Sequence, residues 1–339
     1  MVGRSPNDKC LICLIRDANQ KGSHYTPASL IKRPFGKVDY EEIYSISSEE
    51  STVDVFYGRS NPDNTDPTIR AGEHKDDYIF CSDCERKLSF IEGQCSNELN
   101  LMLDSDKQQN LKFSTTSKGN KYLVLQKLHS NLLTLFFYSV IVRQCIQQRL
   151  HGGSNAISSL LENPLREILL TEMYKSLDEI NSSDVFSHAP RIIVITNLGQ
   201  QDYSKNSVCP NDLKSNPNVF FMGIVDVLLF SGETNSSNFF DLTGIDSKLL
   251  DDELVLNQDS VSKIAFVDDL AWNNKNDKFL DRYGKRFFDN VVDKVARHRN
   301  WPVAYAHFQL VTLATSIQKQ TGERFFYKCV ILASRQILC

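Results

Sequence analysis

Two Cys-x-x-Cys pairs, Cys10 with Cys13 and Cys81 with Cys84, constrain this chain more than any other feature. A spacing of two residues lets both sulfurs of a pair face one ion across a tight turn, and four soft thiolates suit Zn²⁺. One structural zinc site holding all four cysteines is the favoured reading. Two separate redox or accidental pairs are the alternative. The bracketed segment needs such a staple, because it contains the polar insert SISSEESTVDVFYGRSNPDNTDPTIRAGEHKDD. That stretch has little to bury and cannot offset its ordering entropy by burial alone.

Nine cysteines, and no apolar h-region in MVGRSPNDKC, point to reduced thiols in a cytoplasmic protein and away from a secreted disulfide framework. Cys95, Cys145, Cys209, Cys329 and Cys339 lack a paired spacing and read as buried small apolar residues or inert thiols. The longest apolar stretch, Leu132 to Val142, ends in Arg143 and Gln144. It is too short to span a bilayer, so it reads as a buried helix and no membrane partner is expected.

A chain of 339 residues is long for a single core, and two or three domains are expected. A zinc site is then a local device for a module short of apolar material. A net charge of -4 argues against a surface that is basic throughout, while leaving room for a basic patch.

The pattern along the chain predicts an α+β protein with three consecutive parts. Residues 1–98 form a zinc-stapled, loop-rich module. Residues 99–190 form a helical segment, with a run from Leu123 to Leu150 apolar nearly all round and closed by Gly152 and Gly153, then a second from Asn155 to Ile180 interrupted by Pro164. Residues 191–339 begin with strand chemistry at RIIVIT, NVFFMGIVDVLLFSG and SKIAFVDD. They end in two helices, about Lys275 to Arg299 and Val303 to Lys319, broken at Trp301-Pro302. The first is rich in Lys and Arg, but Asp281, Asp289 and Asp293 are interleaved, as on a solvated face. Asp226, Asp268 and Asp269 read as turn formers at or within strands.

Between the cysteine pairs lies GSHYTP, residues 22–27, and the second pair opens the run CSDCERKLSFIE. Cys-x-x-Cys, then a polar residue with His-x-x-Pro, then Cys-x-x-Cys resembles the zinc-stapled form of the HNH, or ββα-metal, nuclease module. The resemblance implies a treble-clef or ββα-metal fold for the first part, with His24 as the general base that activates water and Pro27 as its companion. In the HNH pattern an acid precedes the His, and here it is Ser23. A His follows the second pair as a metal ligand, and here it is Glu85. An Asn stands shortly before that pair, where this chain has Asp76 and Asp77. Glu85 and Asp76 become the candidate ligands of a catalytic Mg²⁺ or Mn²⁺, since carboxylates suit those ions. His74, the other histidine near the second pair, reads as an exposed loop residue.

A closer resemblance covers residues 9 to 150 and, more loosely, the chain to 232. It is to a group of mostly uncharacterised bacterial proteins that share Cys-x-x-Cys, Ser-His-x-x-Pro with apolar residues, and Cys-x-x-Cys-Glu-x-x-x-Ser with an aromatic and a Glu after it. These are CLIC, SHYTPASLI and CSDCERKLSFIE here. The group continues with a buried helix carrying an Arg, here LFFYSVIVRQCI. Ser23 and Glu85 belong to its own pattern.

Two functions are implied. One is a metal-dependent nuclease acting on DNA or RNA in an antiphage or mobile-element setting, with His24, Glu85 and Asp76 at its centre and Arg86 and Lys87 meeting phosphates. The other is an inactive zinc-stapled module that binds nucleic acid or protein, residues 191–339 supplying a further partner surface.

Overall fold

The computed structural model describes residues 4–27, 30, 42–47, 52–57, 75–103, 111–150, 157–197, 208–209, 216–222, 225–231, 246–256, 260–268, 270–272, 285–321 and 326–338. In chain order the elements are β1 (Ser23–His24), β2 (Glu42–Ser47), β3 (Thr52–Tyr57), β4 (Lys75–Asp76), α1 (Ser82–Leu103), β5 (Lys112–Thr115), β6 (Lys121–His129), α2 (Ser130–Leu150), α3 (Ser159–Glu172), α4 (Leu177–Asn181), β7 (Ile192–Thr196), β8 (Val208–Cys209), β9 (Asn218–Met222), β10 (Val225–Leu229), β11 (Val261–Phe266), α5 (Lys285–Arg299), α6 (Val303–Thr321) and α7 (Phe326–Leu338). Helices and a sheet share the chain, an α+β mixture. No described helix is long and apolar enough to cross a membrane.

Two compact units are present, and they do not follow the order of the sequence. The first holds the described residues up to Leu30, then 75–197 and 208–272. The second holds β2, β3 and α5 to α7. The stretch between the two cysteine pairs is therefore an insertion that leaves the first unit and returns to it at Lys75. The polar composition of the insert predicts loop, yet it carries an antiparallel hairpin, Glu42 opposite Tyr57 through Ser47 opposite Thr52. Its Val53, Val55, Phe56 and Tyr57 are β-branched or aromatic, which is strand chemistry too short to stand out in a polar background.

In the first unit a seven-stranded sheet runs in the order β5-β6-β11-β7-β10-β9-β8. Every neighbouring pair is antiparallel except β11 with β7, which is parallel. The inner strands β7 and β10 are buried along their whole length, as suits strands covered on both faces, β7 being apolar through Ile195 and β10 apolar except for Asp226. Asp226 lies fully buried within β10, and Asp268 accepts the Ala271 N–H at 2.8 Å, a turn-forming role. Asp269 lies outside the described residues.

The helix expected from Leu123 is corrected: Lys121–His129 is strand β6, and helix begins only at Ser130. Leu123, Leu125 and Leu128 are buried while Gln126 and Lys127 are exposed. Pairing with β5 on one side and β11 on the other fixes the stretch as strand. A short apolar run carries both periodicities, and tertiary pairing decides between them. Strand passes into helix without a loop. His129 Nδ1 accepts the Asn131 N–H at 3.2 Å, doing the work of a cap.

From Ser130 to Ile146, α2 is buried on every face. Its core is continuous from the cysteine segment (Ile12, Tyr25, Phe80, Leu88), through Leu133, Phe137 and Ile141 of α2 and Leu165 and Leu169 of α3, to Val194 and Val227 of the sheet. Cys95 and Cys145 are buried here, and Cys329 is buried in the other unit. Pro164 sits inside α3 without ending it. A capping box at Ser176 and Glu179 then starts α4.

The second unit packs α5, α6 and α7 through Val291, Val295, Leu310, Ala314, Val330 and Ala333, a helical spacing in each case. Helix α7 was not foreseen. Lys294, Arg297 and Arg299 of α5 are exposed beside Asp289 and Asp293, as a solvated face requires.

Asn131 ties the start of α2 to the end of α4, its amide reaching the carbonyls of Ile180, Asn181 and Ser183 at 3.2, 3.1 and 3.0 Å. Removing it leaves those carbonyls short of a donor. Asn131→Ala is expected to lower the unfolding free energy by about 2 kcal/mol, measured by urea denaturation.

Candidate metal centre and its charged surroundings

The first cysteine pair sits on a tight turn. Leu14 N–H bonds back to the Cys10 carbonyl, and Cys10 N–H to the Arg16 carbonyl, both at 2.8 Å. Leu14 closes this turn at φ 60°, a left-handed conformation that costs a non-glycine residue roughly 1 kcal/mol. The second pair opens α1. Cys81 immediately precedes the helix, Cys84 lies in its first turn, and Cys84 N–H points at Cys81 Sγ at 3.4 Å. Asn19 Oδ1 accepts the Ser82 N–H at 2.8 Å, satisfying one amide at the helix start.

Backbone bonds fasten the two pairs together. Leu11 N–H reaches the Ile79 carbonyl at 2.8 Å, and Gln20 exchanges bonds with Tyr78 and Phe80. The four sulfurs converge within 4.8 Å of one another, Cys13 Sγ and Cys81 Sγ standing 4.0 Å apart. A Zn–S distance near 2.3 Å gives a tetrahedron with an edge of ~3.8 Å. The sulfurs therefore fit such an ion, and the group could hold a metal such as zinc. Sulfur chemistry agrees. A hydrogen bond shared by Cys10 and Cys84 draws the Cys10 thiol down in pKa and pushes Cys84 up. A cation at the centre would let all four ionise, helped by the positive end of α1.

Helix α3 braces the centre from outside. Arg166 donates to the Leu11 carbonyl, to the Ile12 carbonyl at 3.4 Å and to Glu162 at 2.7 Å. Burial alone would raise the Glu162 carboxyl, but Arg149 and Arg166 hold it below its ordinary value. Tyr174, just beyond α3, brings its hydroxyl to 3.7 Å from Cys84 Sγ and 3.2 Å from Arg16.

Residues 22–27 meet the second pair through a two-residue ladder. β1 runs antiparallel to β4, with Ser23 opposite Asp76 and His24 opposite Lys75. Gly22, at φ 64°, donates its N–H to Asp77 at 2.7 Å. Ser23 is buried against the Glu85 carboxylate. Asp76 accepts the hydroxyl of fully buried Tyr25 at 2.7 Å. His24 is half-buried. Side chains alternate along a strand, so His24 leaves on the face opposite Ser23 and its partner Asp76. His74 lies outside the described residues.

Arg143 is the cation of this region. It is 2 % exposed, pairs with Glu92 at 2.6 Å and donates to the His24 carbonyl at 3.2 Å and to Ser139. Its charge also faces Glu85. Burial raises the Glu85 carboxyl, and Arg143 and Ser23 offset only part of that rise. Glu85 Oε2 is buried with no hydrogen-bond partner among the described residues. Among those residues the four cysteines are the one group of three or more His, Cys, Asp or Glu that could hold an ion. With Asp76 engaged by Tyr25 and a guanidinium beside Glu85, this donor set does not fit a catalytic divalent ion.

Outside lies a cationic rim. Arg16 and Arg86 both pair with Asp83. Arg16 Cζ and Lys87 Nζ stand 5.8 and 5.5 Å from the centroid of the Tyr174 ring. Leu14 and Ile15 beside them are 58 % and 76 % exposed. The sequence pointed to Arg86 and Lys87 by position. Arg16, Arg166 and Tyr174 carried no local signal, because their roles come from packing across 150 residues of chain. Comparison with family models, curated proteins and solved structures finds no match to this chain.

Replacing Cys81 by Ser is expected to abolish stoichiometric zinc, about one ion per chain, and to unfold residues 4–27 and 75–103, read by metal analysis and hydrogen exchange. Glu85→Gln is expected to leave zinc content unchanged. Arg143→Met strands Glu92 and Glu85 near the core and is expected to cost about 3 kcal/mol in urea denaturation.

Proposed function

We propose that residues 4–27 and 75–103 form a zinc-stapled module of treble-clef or ββα-metal type that binds nucleic acid through the rim of its first cysteine turn. The carrying observation is the gathering of Arg16 and Lys87 against Tyr174, with Arg86 joined to Arg16 through Asp83, beside exposed Leu14 and Ile15. Three cations on a rigid support meet phosphates, and an aromatic with apolar neighbours meets bases. The acids nearest the cysteines serve structure. Asp76 holds Tyr25, and Asp83 spaces the two arginines. A net charge of -4 for the chain makes this local concentration of cations more telling.

A second reading is phosphodiester hydrolysis with His24 as general base. It draws support from one contact, Ser23 against Glu85, which joins GSHYTP to CERK. Against it stand the direction of His24 along β1 and the engagement of Asp76 and Glu85.

Fluorescence anisotropy of the full chain with labelled 20-nucleotide DNA and RNA tests the binding reading. Affinity is expected to fall steeply between 50 and 200 mM salt, and converting Arg16, Arg86 and Lys87 together to Gln is expected to flatten that dependence by about two to three units of slope. Absence of binding at low salt, or an unchanged slope in the triple variant, defeats it. Cleavage that appears with Mg²⁺ or Mn²⁺ and vanishes in His24→Ala moves the function to the second reading.

A further inference from the structure

We infer that the rim selects single-stranded nucleic acid by stacking an unpaired base on Tyr174, an inference that rests on the nucleic-acid reading and narrows it to a substrate class. Tyr174 is 38 % exposed, yet its side chain is tethered at the tip. Its hydroxyl is bound to Arg16 at 3.2 Å and approaches Cys84 Sγ at 3.7 Å, so the staple itself fixes the ring. A preset aromatic surface costs little further ordering when a base lands on it.

Charge is placed to match. Arg16 comes from the first cysteine turn and Lys87 from α1, and each stands within 6 Å of the ring centroid. Arg86 extends the positive edge through Asp83, which it shares with Arg16. A strand crossing the ring would find cations from separate elements for its phosphates, and the Arg16 guanidinium offers a second plane for stacking.

The shape favours an open strand over a duplex. The rim is built from a tight turn, the first two turns of α1 and Tyr174, two residues beyond α3. Among the described residues it offers a flat aromatic and two apolar side chains, Leu14 and Ile15, in place of a helix projecting toward a groove. In a duplex both faces of every internal base are already stacked, so only an unpaired base can use Tyr174.

The test compares one 20-nucleotide sequence as a single strand and as a duplex, on the full zinc-loaded chain. The single strand is expected to bind at least tenfold more tightly. Tyr174→Ala is expected to lose about tenfold on the single strand with the salt slope unchanged, while Tyr174→Phe, which keeps the stacking face and gives up only the hydroxyl that presets it, is expected to lose no more than about threefold. Because Tyr174→Ala touches the metal centre, a second measurement uses the native chain. Ultraviolet crosslinking of a 5-bromouracil-substituted strand is expected to label Tyr174, located by peptide mass spectrometry. Equal affinity for both strand forms, or crosslinks that avoid Tyr174, overturns the inference and leaves the nucleic-acid reading standing. Binding to neither form overturns both.

Discussion

Four sulfurs from segments some seventy residues apart converge within 4.8 Å of one another and could hold a metal, and the first part of the chain is arranged around that convergence. The chain between them includes a hairpin that belongs to the other unit, so the two cysteine pairs lie on either side of that insertion in sequence. Closing a loop of this length removes on the order of 4 kcal/mol of chain entropy from the unfolded state, if a metal cross-link acts as a disulfide does. The staple sets register as well. With Leu11 bonded to Ile79 and Gln20 to Tyr78 and Phe80, β1 has one place to meet β4, and Ser23 comes to lie against Glu85.

A loop-rich segment still has to satisfy its carbonyls, since an unpaired backbone group away from water is costly. Two guanidiniums from outside the cysteine segment supply donors. Arg143 of α2 reaches the His24 carbonyl, and Arg166 of α3 reaches Leu11 and Ile12. Each also anchors to a carboxylate, Glu92 or Glu162. The planar fork of arginine suits this double duty, since it carries several donors in fixed directions. The cysteine segment is thus stapled by sulfur and braced by arginine, and it shares one core with the helices behind it.

How much of this the sequence made legible follows from the range of each interaction. The cysteine pairs, the inner strands near RIIVIT and NVFFM, and the break at Trp301-Pro302 are local patterns, readable because spacing and apolar runs lie within a few residues. Leu123 to His129 misled because its leucines satisfy either periodicity, and only pairing with β5 and β11 decides. The hairpin hidden in the polar insert and helix α7 were missed for want of contrast with their surroundings. Tyr174 and Arg166 could not be found at all, since nothing near them in sequence reveals that α3 ends beside Cys84. Arg143 was visible as a lone cation in an apolar run, but its partners His24, Glu92 and Glu85 were not.

The charges around Ser23 bear on the choice between binding and hydrolysis. A divalent ion needs anionic oxygens turned toward a common, accessible point. Here Arg143 brings one positive charge to two carboxylates, Glu92 at 2.6 Å and Glu85 nearby, and burial already drives Glu85 toward its neutral form. The region therefore compensates its own acids with a fixed guanidinium, while Arg16 and Arg86 of the rim keep their side chains exposed around Asp83. An interior neutralised from within and a rim that gathers Arg16, Arg86 and Lys87 are what favour the proposed binding reading over hydrolysis. The charge that would attract phosphate lies on Arg16, Arg86 and Lys87, on the same support that the four sulfurs make rigid.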